Sequence, residues 1–238
     1  MVHVRRRWVL FVSLGATAFV MSTALGVAAS AAATTSSVLK AAKAAMAKQT
    51  GVHLVNSSKS GSSSALAIVD FGTKSGEENV SEGKARLTYK LTPTYAYIGG
   101  NSSGLTTIFG LTAAQAKKVG KDWISAKAGT SEYAAFKSGL TISSLAGVLP
   151  PTKGTTLSTT VTDGVHLYVL KWTTAATSST PKLSKMMTIS AVGATLPVEE
   201  ITTASNGSAT TKFSKWGEPV AVSAPPVAST ISFSKDTS

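Results

Sequence analysis

The chain of 238 residues contains no cysteine, which excludes disulfide scaffolds, thiol nucleophiles, Cys-ligated zinc and iron–sulfur centres. Charged residues are scarce at 14% and aromatics at 7%, while 43% of the chain is hydrophobic. That balance is too apolar for intrinsic disorder, and the length fits one domain better than two. Arginine is nearly missing: outside Arg5, Arg6 and Arg7 the sequence holds Arg86 alone. Nucleic-acid binders use clustered arginine for bidentate phosphate and guanine contacts, whereas the 19 lysines here are spread along the chain. No nucleic-acid partner is therefore expected. What is abundant is hydroxyl, with 33 Ser and 32 Thr, the composition of a β-rich, neutrally polar surface.

The three arginines open an apolar stretch over 8–27 that ends in small residues, including Ala29-Ser30-Ala31 and Ala31-Ala32-Ala33. Basic start, apolar run and small side chains at the cleavage positions make a secretory signal peptide, assigned to residues 1–33 with cleavage after Ala31 or Ala33. The rival reading is an uncleaved anchor, since about 20 residues can cross a bilayer, but Ser13, Gly15, Thr17, Ser22, Thr23 and Gly26 dilute the run. Cleavage leaves 20 basic against 11 acidic side chains, a charge near +9. Scattered lysine on an exported protein fits either loose peripheral contact with an anionic membrane or cell-wall polymer, or simple solubility.

After this segment, Val38, Leu39, Ala42, Ala45 and Met46 recur at helical spacing, predicting an amphipathic helix over 36–48. Short β-favouring runs follow at 52–56, 65–71, 79–82, 85–91 and 95–98, separated by Gly, Ser and Lys turns, as in an antiparallel meander. Helical spacing then returns over 104–118, 131–138 and 141–149, with one short strand at Trp123-Ile124, until Pro150-Pro151 closes the insert. Strands resume at 155–161, 165–174, 185–192, 197–204 and 209–216. Asp163-Gly164 and Asn206-Gly207 are hairpin-turn dipeptides, the second the stronger signal. The fold class is α+β: about ten strands in one curved antiparallel half-barrel, with helices covering its concave face. A loose helical bridge over such a face leaves room for a hydrophobic ligand. The domain is placed at 34–228, with a small, polar, frayed tail over 229–238.

Several of these residues carry a family resemblance. Thr50-Gly51-Val52-His53 after the first helix, Tyr95-Ala96-Tyr97-Ile98-Gly99-Gly100 and Gly120-Lys121-Asp122-Trp123-Ile124 come in order along the chain. Tyr133-Ala134-Ala135-Phe136, the Leu-Thr-Ile-Ser-Ser-Leu stretch beginning at Leu140, and Phe213-Ser214-Lys215-Trp216-Gly217-Glu218-Pro219-Val220 before Ala224-Pro225-Pro226 continue the series. Together they resemble the LppX/LprG-type actinobacterial cell-envelope proteins, over roughly residues 36–228. That resemblance implies a LolA-like half-barrel, a lipid or acylated glycan as ligand, and carriage without catalysis. The familiar relatives carry a lipidated cysteine after the signal sequence. This chain has none, so a cysteine-linked anchor is not implied, and the expected protein is exported, extracytoplasmic and a monomer.

The candidate cavity residues are Leu105, Ile108, Phe109, Tyr133, Phe136, Leu140, Ile142, Leu145 and Val148 from the helices, with Tyr89, Tyr97, Tyr168 and Met187 from the strands. Each is more often core than cavity lining, and alternation along a strand does not say which face is concave. Trp123 and Trp216 read as structural. One catalytic pattern occurs by letter: Gly100-Asn101-Ser102-Ser103-Gly104 matches the nucleophile elbow, with Asp122 or Asp163 and then His166 in hydrolase order. The elbow belongs to a mostly parallel sheet, however, and a Ser- and Gly-rich chain makes a chance match cheap. His53 and His166 lack any partner at metal-ligand spacing. Glu199 and Glu200, adjacent in a strand, point to opposite faces, and Glu77, Glu78 and Glu82 read as solvated turn residues. No cofactor, no metal and no catalytic residue is expected. The leading reading is a non-enzymatic carrier or presenter of a hydrophobic ligand. The alternatives are an interaction or sensor module with a filled core, and remotely a serine hydrolase using Ser102.

Overall fold

A computed structural model of the chain describes residues 33–176 and 181–232. The signal-peptide assignment falls on 1–33 and, save for its last residue, lies outside the described residues. Among the described residues no helix is long and apolar enough to cross a membrane.

Helix α1 (Thr35–Met46) begins where Thr34 and Ser37 form a reciprocal capping box, satisfying two amide donors that the first turn leaves open. Then come β1 (Gly51–Ser60), β2 (Ser63–Gly72), β3 (Gly76–Glu82), β4 (Ala85–Leu91) and β5 (Tyr95–Gly100). The expected helix over 104–118 is two pieces, a π-helical turn at Gly104–Ile108 and α2 (Ala113–Val119). The break is local chemistry: Thr112 accepts from Gln115 N–H while the Gln115 side chain returns to the Thr112 backbone, so a new helix starts there. Strand β6 (Trp123–Lys127), helix α3 (Ser131–Leu140) and a 3₁₀ turn at Ile142–Gly147 complete the insert. Strands β7 (Thr156–Thr162), β8 (Val165–Thr174), β9 (Leu183–Ser190), β10 (Pro197–Ala204), β11 (Gly207–Ser214) and β12 (Thr230–Ser232) follow.

Among the described residues twelve strands join one open, curved sheet in the order β12-β6-β5-β4-β3-β2-β1-β11-β10-β9-β8-β7. The sequence supported about ten. The difference lies in β6, a full strand of five residues, and in β12, which pairs parallel to β6 within what reads as a polar tail. Residues 217–229 carry the chain from β11 to that position, held by Ser75 Oγ donating to the Val220 carbonyl at 2.7 Å, and Ser125 Oγ of β6 donates to the Ile231 carbonyl of β12 at 3.1 Å. The other eleven strands are mutually antiparallel. Glu77, Glu78 and Glu82 are not turn residues: they belong to β3, between β2 and β4. Cross-strand partners rather than intrinsic propensity hold that Gly-Glu-Glu-Asn segment in the sheet.

Candidate functional site

Because side chains alternate along a strand and face their cross-strand partners, the pairing register sorts the whole sheet into two faces. One continuous row runs Ile124, Ile98, Tyr89, Glu78, Val69, Leu54 and Phe213 from β6 to β11. A row on the same face continues from β1 as Asn56, Thr211, Glu200, Met187, Leu170 and Leu157. Buried Leu91, Ile98, Phe71 and Ile124 on this face share one apolar cluster with Leu105, Phe109, Tyr133, Phe136, Leu140 and Leu145 from the helical insert. Leu170, Trp172, Met187 and Ile189, again on this face, form a second cluster with Val38, Leu39 and Ala42 of α1. Among the described residues the helices therefore cover one face of the sheet only.

Between the two clusters the same face is polar. Asn56 Nδ2 donates to Thr211 Oγ1 at 2.7 Å. One strand further on, Lys185 Nζ lies 2.8 Å from Glu200 Oε1, with side chains 17% and 8% exposed. Thr202 Oγ1 donates to the same carboxylate oxygen at 3.3 Å, and the ammonium stands 5.7 Å from the centre of the Trp172 ring. An ion pair this buried is favourable only with further hydrogen bonds around it; here it stands on the face between the sheet residues of the two clusters, which Val148 and Leu149 of the insert join by packing against both.

The larger cluster holds most of the candidate cavity residues. Leu105 and Leu140 are fully buried, and Phe109, Tyr133, Phe136 and Leu145 nearly so. Ile108, Ile142, Val148 and Tyr89 are half-buried against them. Tyr89 sits edge-on to Phe109 at 6.4 Å and tilted on Phe136 at 5.8 Å. The Tyr133 hydroxyl donates to the carbonyls of Thr92 at 2.9 Å and Pro93 at 3.1 Å, and burial raises its pKa. Met187 and Tyr168 belong to the second cluster. Tyr97 belongs to neither: it pairs with Lys90 and Ser125 on the opposite face and stacks on Tyr95 at 5.9 Å. Burial, and then the neighbouring Tyr95, raise its pKa.

Clefts among the described residues open on that opposite face. One, of about 200 Å³, lies between residues 215–221 and the His53–Asp70 pair, whose Nδ1 and Oδ1 are 2.8 Å apart. Another, of about 230 Å³, is bordered by Leu66, Ile68, Asn79 and Arg86. Trp216 and Trp123 act structurally. The first stacks on Phe213 at 6.0 Å and donates Nε1–H to the Pro197 carbonyl at 2.9 Å; the second lies under Lys90, 5.5 Å from ring centre to ammonium.

The nucleophile-elbow reading fails on distance. Ser102 follows β5, whereas His166 is on β8, eight strands away in the sheet, and His53 is on β1, four strands away. Asn101 explains the motif instead: its side chain accepts from the amides of Arg86 and Gly104 and donates to the Lys84 carbonyl, fastening the turn after β5. Among the described residues no three His, Asp or Glu side chains gather as a metal site. The Lys185–Glu200–Thr202 group escaped sequence reasoning because its members come from two strands and only register brings them together.

The geometry thus defines an open antiparallel sheet with helices on one face over an apolar layer. The sequence matches no family model and no curated protein. Among solved structures the chain is similar to the Mycobacterium tuberculosis lipoprotein LppX, at 16% identity and a TM-score of 0.48 over 79% of this chain and 98% of that one. It is likewise similar to LprF from Mycobacterium bovis, at 13% identity and a TM-score of 0.49 over 80% of this chain and 96% of that one. These are proteins of the same type as those the sequence resembles. Likeness at this level bears on neither ligand nor activity.

Proposed function

We propose that the chain is an exported, non-enzymatic carrier that takes an acyl chain or other hydrophobic part of a lipid or acylated glycan between its helices and sheet, and carries or presents it at the cell envelope. On this reading the curved sheet is a LolA-like half-barrel and its helix-bearing face is concave. The observation that carries the proposal is the one-sided cover: a mostly apolar layer from β6 to β11, interrupted at Glu78, packed against residues of α2 and α3, with the Lys185–Glu200 pair beyond it on β9 and β10. Half-buried Ile108, Ile142 and Val148 mark the rim where a chain would enter. Each methylene buried there contributes about 0.8 kcal/mol, so an eight-carbon chain supplies about 6 kcal/mol before ordering costs. Selectivity rests on length and shape more than on polar recognition.

The experiment is titration with a fluorescent fatty acid. Wild type should bind saturably, and Ile108→Lys or Val148→Lys should weaken binding at least about tenfold, the cost of facing an acyl chain with a charge. Leu66→Lys, on the other face, should leave it unchanged. Equal binding by all three variants would end the proposal. A second reading, an interaction module with a filled core, is favoured by the tight burial of Leu105, Leu140 and Phe136; it predicts no saturable binding by wild type.

A further inference from the structure

The two ends of the sheet are unlike. At one, β12 is three residues long and follows Pro225-Pro226, which blunts that edge. At the other, β7 runs Thr156-Leu157-Ser158-Thr159-Thr160-Val161-Thr162 in unbroken register with β8. This edge carries no charge, no proline and no bulge, the devices that ordinarily keep an edge from pairing. Its sequence is also symmetric in chemistry about Thr159: Thr156 mirrors Thr162, Leu157 mirrors Val161, and Ser158 mirrors Thr160.

We propose that β7 pairs antiparallel with β7 of a second copy of this chain, about a two-fold axis through Thr159, joining the two sheets into one. A two-fold axis normal to the sheet keeps like faces together, so odd-numbered residues of β7 must meet odd-numbered ones. Of the registers that do this, the one centred on Thr159 places Leu157 of each copy opposite Val161 of the other. Val161 is 56% exposed in the single chain, and this pairing covers it. The apolar match on either side of Thr159 selects one register, and the strand's own chemical symmetry selects a second copy of this chain as the occupant. This departs from the monomer expected from sequence, because the symmetry matters only once 156–162 is known to be an edge.

The absence of cysteine makes the test direct. Thr159→Cys should give a disulfide dimer under mild oxidation, while Ser158→Cys, which would face Thr160 rather than itself, should cross-link far more slowly. In sedimentation velocity the wild-type protein should shift from monomer to dimer as concentration rises. Thr159→Lys and Thr159→Glu, each placing like charges in opposition, should both stay monomeric with unchanged circular dichroism, and an equimolar mixture of the two should restore the dimer. A wild type that remains monomeric up to its solubility limit overturns the proposal. So does a dimer that both charge variants retain, or equal cross-linking at 158 and 159.

Discussion

Replacing Lys185 by Met tests whether the polar belt on the helix-bearing face is energetically coupled. Lys185 Nζ is 2.8 Å from Glu200 Oε1, in a pair whose side chains are 17% and 8% exposed. The substitution keeps the side-chain length but, among the described residues, leaves the carboxylate with the Thr202 hydroxyl as its remaining side-chain partner. Breaking a buried pair from one side costs about 3–5 kcal/mol, and the residual exposure of Lys185 places this case at the low end, about 3 kcal/mol. For a domain of this size that lowers Tm by about 6–12 °C. In Lys185→Met/Glu200→Met the stranded charge is gone, and an apolar pair of similar volume stands between the two apolar clusters. The remaining loss is the Thr202 hydroxyl's partner, so the double variant should lie within about 1 kcal/mol of wild type. Urea unfolding followed by circular dichroism measures all four species, with equal m-values as the check on comparable unfolding. A single substitution costing under about 1 kcal/mol, or a double variant as unstable as the sum of both singles, would refute the coupling.

Other consequences are smaller. Tyr133→Phe removes the hydroxyl that bonds the Thr92 and Pro93 carbonyls and should cost about 1–2 kcal/mol in the same urea assay; no loss would mean those bonds are not closed in solution. A Cβ at Gly76 would overlap the Leu140 carbonyl oxygen, so Gly76→Ala should push the end of α3 off the sheet, costing about 1–3 kcal/mol and speeding hydrogen exchange in α3 more than in β8. Glu132 has a lowered pKa, chiefly from its own backbone amide and secondarily from the Ser131 and Thr130 hydroxyls, against the opposing effect of burial. A carboxylate with a lowered folded pKa stabilises above its unfolded value and loses that contribution as pH falls through the folded one. Glu132→Gln should therefore cost about 0.3 kcal/mol at neutral pH, discounted for its exposure, and nothing once both forms of the carboxyl are protonated; a gap that widens in acid would contradict this.

Local signals were readable where one segment decides its own structure. The helix expected at 36–48 is α1 at Thr35–Met46, and the strands expected at 85–91 and 197–204 have those same ends. Asp163-Gly164 forms its turn with φ of 49° and 77°, both in the left-handed region that a type I′ hairpin needs. The stronger dipeptide, Asn206-Gly207, marks a real hairpin but not its centre: Gly207 is already paired with Ala204, and Ser205-Asn206 make the turn. What sequence could not supply was register. Tyr89 and Tyr97 look alike in the chain, yet one faces the helices and the other the opposite side, because cross-strand partners and not composition decide the face. The Lys185–Glu200 pair and the place of β12 beside β6 depend on long-range pairing in the same way.

The central claim is that the space between helices and sheet admits a hydrophobic chain, and native mass spectrometry of the protein purified after export from lipid-replete cells tests it most directly. The carrier account predicts adducts in the mass range of lipids or acylated glycans, released on activation and depleted in Ile108→Lys. A single ligand-free mass under those conditions would contradict it.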